Sequence, residues 1–122
     1  MSNEVTITAA VKVANGNLSE DWSKRNLKVD QAAANAAGSV QSIGFAAHEQ
    51  IVLTDIGTAG YAFFKNTDAT NYIEIGLDVG GTFYPFAKLK PGEPGVIRLA
   101  TKVIYAKANT AAVKLQTRVL ED

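Results

Sequence analysis

From Val5 onward, apolar and polar residues alternate. Val5, Ile7, Ala9, Val11 and Val13 fall on one side of an extended chain, and Thr6, Thr8, Ala10 and Lys12 on the other. A period of two is that of a strand with one face buried. Asn15-Gly16-Asn17 follows, and because Asn and Gly tolerate positive φ this segment predicts a turn. Leu18 to Arg25 is less regular, and Ser19-Glu20-Asp21-Trp22 suits either a short helical turn capped by Ser19 or a wide loop. Leu27 and Val29, alternating with Lys28 and Asp30, predict a second strand. Gln31 to Gly38 is rich in alanine and asparagine and reads as a small-residue loop or a single helical turn.

Strand signals then recur about every 8–12 residues. They cover Ser39 to Phe45, Gln50 to Asp55, Tyr61 to Lys65, Tyr72 to Leu77, Thr82 to Leu89, Gly95 to Leu99, Val103 to Ala106 and Val113 to Leu120. Turn residues punctuate them: Asn66-Thr67-Asp68 and Asn71 flank one connection, and Gly80-Gly81 forms another. Lys90-Pro91-Gly92-Glu93 has Pro and Gly where a type II turn wants them. The alternation places Ile73, Ile75 and Leu77 on one face of their strand. It points Val113, Leu115 and Val119 inward in the last strand, with Lys114, Gln116 and Arg118 outward. Pro85 cannot donate to a ladder, so its strand is expected at a sheet edge or bulged.

Many short strands without a long amphipathic helix predict an all-β protein. The expected architecture is a two-sheet antiparallel β-sandwich, jelly-roll-like, with an immunoglobulin-like order as the alternative. One domain is expected over residues 1–122, with residues 1–4 as an N-terminal arm. No βαβ pattern occurs, which argues against a Rossmann-type sheet.

Composition narrows the chemistry. The 12 basic residues balance the 12 acidic ones, so the basic excess that drives phosphate neutralisation is missing and no nucleic-acid partner is expected. A net charge of zero also leaves little repulsion between copies, which suits a multi-copy assembly. There are no cysteines, hence no disulfide, thiolate metal site or cysteine nucleophile. The start, Met1-Ser2-Asn3-Glu4, lacks the basic and apolar stretches of a secretory signal, and no apolar run is long enough for a spanning helix. Synthesis in a cytoplasm and no membrane partner are expected.

Candidate chemistry is sparse. Asp78-Val79-Gly80-Gly81-Thr82 resembles the first phosphate motif of sugar kinases and actin-like ATPases. That family needs two α/β lobes and a far longer chain, so a plain β-turn between strands is the better reading. His48 is the sole histidine, and a triad or a two-histidine metal site needs partners that the sequence does not place beside it. It reads as a surface or loop residue. The carboxylates are scattered and read as solvated, no calcium loop or nucleophile elbow occurs, and Asn17-Leu18-Ser19 matches the glycosylation pattern by chance. No catalytic, cofactor-binding or metal residue is assigned, and no enzyme is expected. Trp22, the sole tryptophan, lies among charged residues and is either a lid on the core or an interface anchor. The aromatics Tyr61, Phe63, Phe64, Tyr72, Phe83, Tyr84, Phe86 and Tyr105 alternate along strands, so most are expected in the core, with a sugar-stacking platform as the alternative.

The second half resembles small structural proteins of tailed bacteriophages. The resemblance rests on Phe64-Lys65-Asn66-Thr67-Asp68-Ala69-Thr70-Asn71-Tyr72-Ile73-Glu74-Ile75-Gly76, on Leu89-Lys90-Pro91-Gly92-Glu93 leading to Ile97-Arg98-Leu99, and on Ile104-Tyr105-Ala106-Lys107-Ala108-Asn109-Thr110. It implies a virion component, foremost a capsid cement or decoration protein binding across major capsid protein junctions and located in the virion. A neck, tail or fibre-associated part is the alternative within that class. A carbohydrate-binding sandwich is the alternative outside it. Trp22, Arg25, Phe83 and Tyr84 are the expected contact residues, chosen for residue type and for loop or edge position.

Overall fold

The computed structural model describes residues 3–122. Among the described residues there is no helix, and the strands run antiparallel wherever they pair. The chain divides into two compact units, Met1–Ala33 and Ala34–Asp122, where the sequence reads as one.

The first unit is a long hairpin of β1 (Val5–Asn15) and β2 (Leu18–Val29). Gly16-Asn17 forms a two-residue loop, and positive φ at Gly16 alone matches a type II′ turn. That loop sets Asn15 opposite Leu18, and the register continues without a break to Ala9 opposite Lys24. The helical turn or wide loop expected over Leu18 to Arg25 is therefore overturned. These polar residues have weak strand preference, but a tight turn brings them directly onto the ladder of β1, and pairing overrides local propensity.

Between Lys24 and Leu27 the register shifts: Arg25 and Asn26 together stand opposite Thr8. Asn26 takes φ +56, a conformation Asn tolerates, and its N–H donates to Thr8 Oγ1 at 3.1 Å. The bulge re-phases β2. Leu27 and Val29 share a face with Leu18, Trp22 and the odd-numbered apolar residues of β1. Of the expected N-terminal arm, Met1 and Ser2 lie outside the described residues. Asn3 N–H donates to Asp30 Oδ1 at 2.7 Å, and Gln31 N–H to Glu4 Oε1 at 3.0 Å, so Asn3 and Glu4 are tied to the chain leaving β2.

The second unit is a two-sheet sandwich. One sheet has the order β5-β10-β7-β8, from β5 (Glu49–Gln50), β10 (Tyr105–Ala108), β7 (Ile73–Val79) and β8 (Thr82–Leu89). The other has the order β3-β11-β6-β9, from β3 (Ala36–Ala37), β11 (Val113–Glu121), β6 (Ala59–Asn66) and β9 (Pro94–Arg98), with β4 (Val40–Ile43) also on β11. Of the small-residue loop or single helical turn expected over Gln31 to Gly38, no helical turn forms, and the chain is irregular up to Asn35. Ala36 and Ala37 pair with Leu120 and Val119 instead, and Ala37 is buried.

Ile43, Ala62, Phe64, Val113, Leu115 and Val119 from one sheet meet Ile73, Ile75, Leu89, Ala106 and Ala108 from the other in a single core. The inward set expected for β11 is buried, and Lys114, Gln116 and Arg118 are exposed. The strand expected from Gln50 to Asp55 stops at Gln50. Beyond it Ile51, Leu53 and Ile56 are still buried, with Ile51 N–H donating to Ile104 O at 2.9 Å. The chain leaves the sheet there but keeps its apolar side chains in the core.

Of the expected aromatic core, only Phe64 is buried; the interior is built from Ile, Val, Leu and Ala. Leu77 also departs from expectation, being exposed although it follows Ile73 and Ile75 on the same face. The strand runs out past the core at that point. Pro85 sits on an edge strand beside a bulge: Ala87 pairs with Ile75 and Pro85 with Gly76, leaving Phe86 unmatched. Gly76 permits this, since a Cβ there would meet Tyr84 O at 2.2 Å.

The turns form as read. Gly80 and Gly81 have φ +61 and +89, the pair of positive values a type I′ hairpin needs. Gly92 has φ +80, and Glu93 N–H donates to Lys90 O at 3.0 Å, as in a type II turn.

Candidate docking surfaces

Three places concentrate chemistry-bearing or uncovered side chains. The first lies at the open side of the sandwich, where β8 ends one sheet and β9 ends the other. The two sheets part there into a groove of about 300 Å³. Phe64 and Ile75 form its floor; Phe86, Ala87 and Leu89 form one wall, and Gly95, Val96 and Ile97 the other. Phe86 is 59% exposed and Ile97 52%. The bulge at Phe86 breaks the alternation that would otherwise tuck this ring inward or outward with its neighbours. Gly95 lacks the side chain that would close the groove, a Cβ there standing 3.5 Å from Leu89 Cδ2. Leu77, Val79 and Tyr84, exposed near the tip of the β7–β8 hairpin, add further apolar surface to the same sheet.

The second place is the apolar face of the first unit. Trp22 and Val11 are cross-strand partners, and they are 66% and 65% exposed. The Trp22 Nε1–H donates to Glu20 Oε1 at 3.0 Å, which fixes the indole against its own strand and leaves the ring uncovered.

The third place is a cluster around His48. Its Nε2 lies 2.5 Å from Asp78 Oδ2. The imidazole stacks on Phe83 with centroids 5.2 Å apart and meets Tyr105 edge-on at 5.5 Å. A carboxylate only accepts, so Nε2 carries the proton in this bond. The hydrogen bond from His48 is the main cause that holds the Asp78 carboxyl below its ordinary value; the Gly81 amide is the next. Asp78 Oδ1 accepts from Gly81 N–H at 3.0 Å, so both carboxylate oxygens are engaged. The pair clasps the β7–β8 turn to the loop before β5. Asp-Val-Gly-Gly-Thr is thus the β-turn expected, with the Asp serving the turn and the histidine. Among the described residues no group of three or more His, Asp or Glu side chains stands together as metal ligands would.

The expected contact residues separate. Trp22 and Arg25 lie on the hairpin unit, Trp22 on its apolar face and Arg25 in the bulge. Phe83 and Tyr84 lie on β8 on opposite faces: Phe83 is half-buried against His48, and Tyr84 is exposed. Phe86 and Ile97 were missed. Their signal was the proline beside Phe86, which marks the irregular edge but not the groove.

The segment that carries the resemblance turns out to be a hydrogen-bonded knot. Asn66 is fully buried; its Nδ2 donates to Asn71 O and Leu89 O, both at 2.9 Å, and its Oδ1 accepts from Asp68 N–H at 2.8 Å. Asp68 Oδ2 accepts from the amides of Asn71 and Thr70 at 2.6 and 3.0 Å, and these two amides hold its carboxyl below the ordinary range.

Compared with protein-family models, with curated proteins and with solved structures, the chain matches none of them.

Proposed function

We propose that this chain is a structural component of a tailed-bacteriophage virion: a cement protein that docks across junctions between capsid subunits and holds the shell together. The observation that carries the reading is the apolar groove between β8 and β9, open to solvent and bordered by two sheet edges. An extended segment of a shell subunit laid in it would bond its backbone to a strand edge and set alternate side chains against Phe86 and Ile97. Apolar surface left uncovered on a small protein marks a place of contact.

The strand order supports the same reading. With β3 and β4 taken as one broken strand, the sheets run β3/β4-β11-β6-β9 and β5-β10-β7-β8. Among the described residues of this unit, the β7–β8 hairpin is the one direct connection that stays within a sheet. That order fits the plan of a jelly roll, an architecture used by capsid and lectin domains. A cement protein performs no reaction. It needs a stiff body, a complementary surface and many copies, whose modest contacts add up through multivalency.

The test is to mix the purified chain with expanded empty capsids of its phage and count bound copies by sedimentation and electron microscopy. Decoration at symmetry-related sites, lost on Ile97→Asp, is expected. Attachment as a ring at one vertex moves the assignment to a neck or tail part. Binding to glycans with no binding to any capsid form would assign the groove to carbohydrate and overturn the cement reading.

A further inference from the structure

We propose that two copies of the chain pair through the apolar faces of their β1–β2 hairpins, related by a two-fold axis. The axis would lie between the faces and cross the strands at the level of the Val11–Trp22 pair. An isolated two-stranded hairpin is marginally stable in water at best, because one of its faces has nothing to pack against. This hairpin has strands of 11 and 12 residues, and Val11 and Trp22, in the middle of its apolar face, are the most exposed of its large apolar side chains. A face of that kind calls for a cover.

The charges on the face identify the cover as a second copy. Cross-strand register puts Glu20 (opposite Val13) and Lys24 (opposite Ala9) on the same face as Trp22, two residues to either side of it. The two-fold operation stacks β2 on β2 in opposite directions. Trp22 then meets Trp22, and Glu20 of each copy stands over Lys24 of the other, making two opposite-charge pairs from one acid and one base. Because the bulge at Arg25 and Asn26 absorbs one residue, Leu18 lies as far from Trp22 as Leu27 does on the other side. The same operation therefore sets Leu18 over Leu27. An isologous interface requires this self-complementarity, and Trp is among the residues most enriched at the centre of such contacts. The hairpin's charges also balance, Glu4, Glu20, Asp21 and Asp30 against Lys12, Lys24, Arg25 and Lys28, so no net repulsion opposes the pairing.

The experiment uses the whole chain without any capsid, so its failure leaves the virion proposal standing, and failed capsid binding leaves the dimer standing. Mass is followed by analytical ultracentrifugation across a concentration series, and the emission of Trp22, the only tryptophan, is recorded on the same samples. A dimer is expected, with emission moving to shorter wavelength as it forms. Glu20→Lys alone, and Lys24→Glu alone, should each raise the dissociation constant roughly tenfold or more by opposing like charges. Combining the two reverses both partners and should restore the dimer. Circular dichroism on each variant checks that the strands persist, and the combined variant's recovery shows that the single changes did not act by unfolding. A monomer at about 100 μM, a trimer, a dimer indifferent to the single reversals, or one not restored by the combined change would each overturn the proposal.

Discussion

Asn66 Nδ2 donates to the carbonyl of Leu89 at 2.9 Å, joining the end of β6 in one sheet to the end of β8 in the other. The same amide group satisfies Asn71 O, and its oxygen accepts from Asp68. One fully buried side chain thus closes the loop between β6 and β7 and pins the two sheets at that end. Replacing it by Leu removes the donor to the Asn71 and Leu89 carbonyls and the acceptor for the Asp68 amide, a loss that is costly where the group is shielded from water, as at Leu89 O. Asn66→Leu is expected to lower the unfolding free energy by about 2–4 kcal/mol, read from urea denaturation at fixed pH. A loss within experimental scatter would mean that water replaces the amide at no cost.

The clasp between His48 and Asp78 carries a pH signature. Its carboxyl is held below the ordinary 3.8 in the folded protein. A depressed folded value stabilises the protein above the unfolded value and ceases to do so as pH falls through the folded one. Asp78→Asn should therefore lower the urea midpoint near pH 6, with the deficit shrinking as pH falls below the ordinary carboxyl value and through the folded one. Asp68 and Glu121 are held down in the same direction, by the Asn71 and Thr70 amides and by Asn35 and the Gly57 amide respectively. The wild type itself should soften over this range, so the comparison rests on the difference between the two proteins. A deficit that stays constant with pH would assign the effect to lost packing.

Thr117 points into the core from β11, and its Oγ1 is buried without a hydrogen-bond partner among the described residues. Its backbone N–H still donates to Ser39 O at 3.0 Å, so the ladder does not depend on the hydroxyl. Thr117→Val replaces the orphaned oxygen with a methyl of similar size. We expect a gain of about 1 kcal/mol, seen as a higher thermal midpoint. A lower midpoint would show that the hydroxyl has a partner in solution.

Residues on β8 should divide by role. Phe83 packs on His48, so Phe83→Ala should lower thermal stability. Phe86 stands in the open groove and is 59% exposed. Phe86→Ser should leave the melting temperature close to wild type and weaken capsid binding by about tenfold or more, a loss typical of an interface anchor. If Phe86→Ser melts early and binds normally, the groove is a structural feature of the fold.

Much of the second unit was legible because its signals are local. The alternation of Val113, Leu115 and Val119 needs only a period of two, and the Gly80-Gly81 and Lys90-Pro91-Gly92-Glu93 turns need only residues able to take the required φ. The polar run Ser19 to Arg25 was illegible for the opposite reason. It has little preference of its own and becomes a strand because β1 lies beside it. The asparagine bulge was equally hidden, since Asn26 takes its φ from a mismatch between two strands.

What the residues determine by themselves is an all-β chain, the places where it turns, and which side of most strands is apolar. Alternation and turn chemistry act over a few neighbours and need no partner. Tertiary structure alone decides that Leu77 emerges from the core while Ile75 stays in it, that His48 finds Asp78 30 positions away, and that Phe86 and Ile97 face each other across a groove. Burial depends on where the opposing sheet ends, and pairing on which distant strand arrives alongside. Both are set by contacts between segments far apart in the chain.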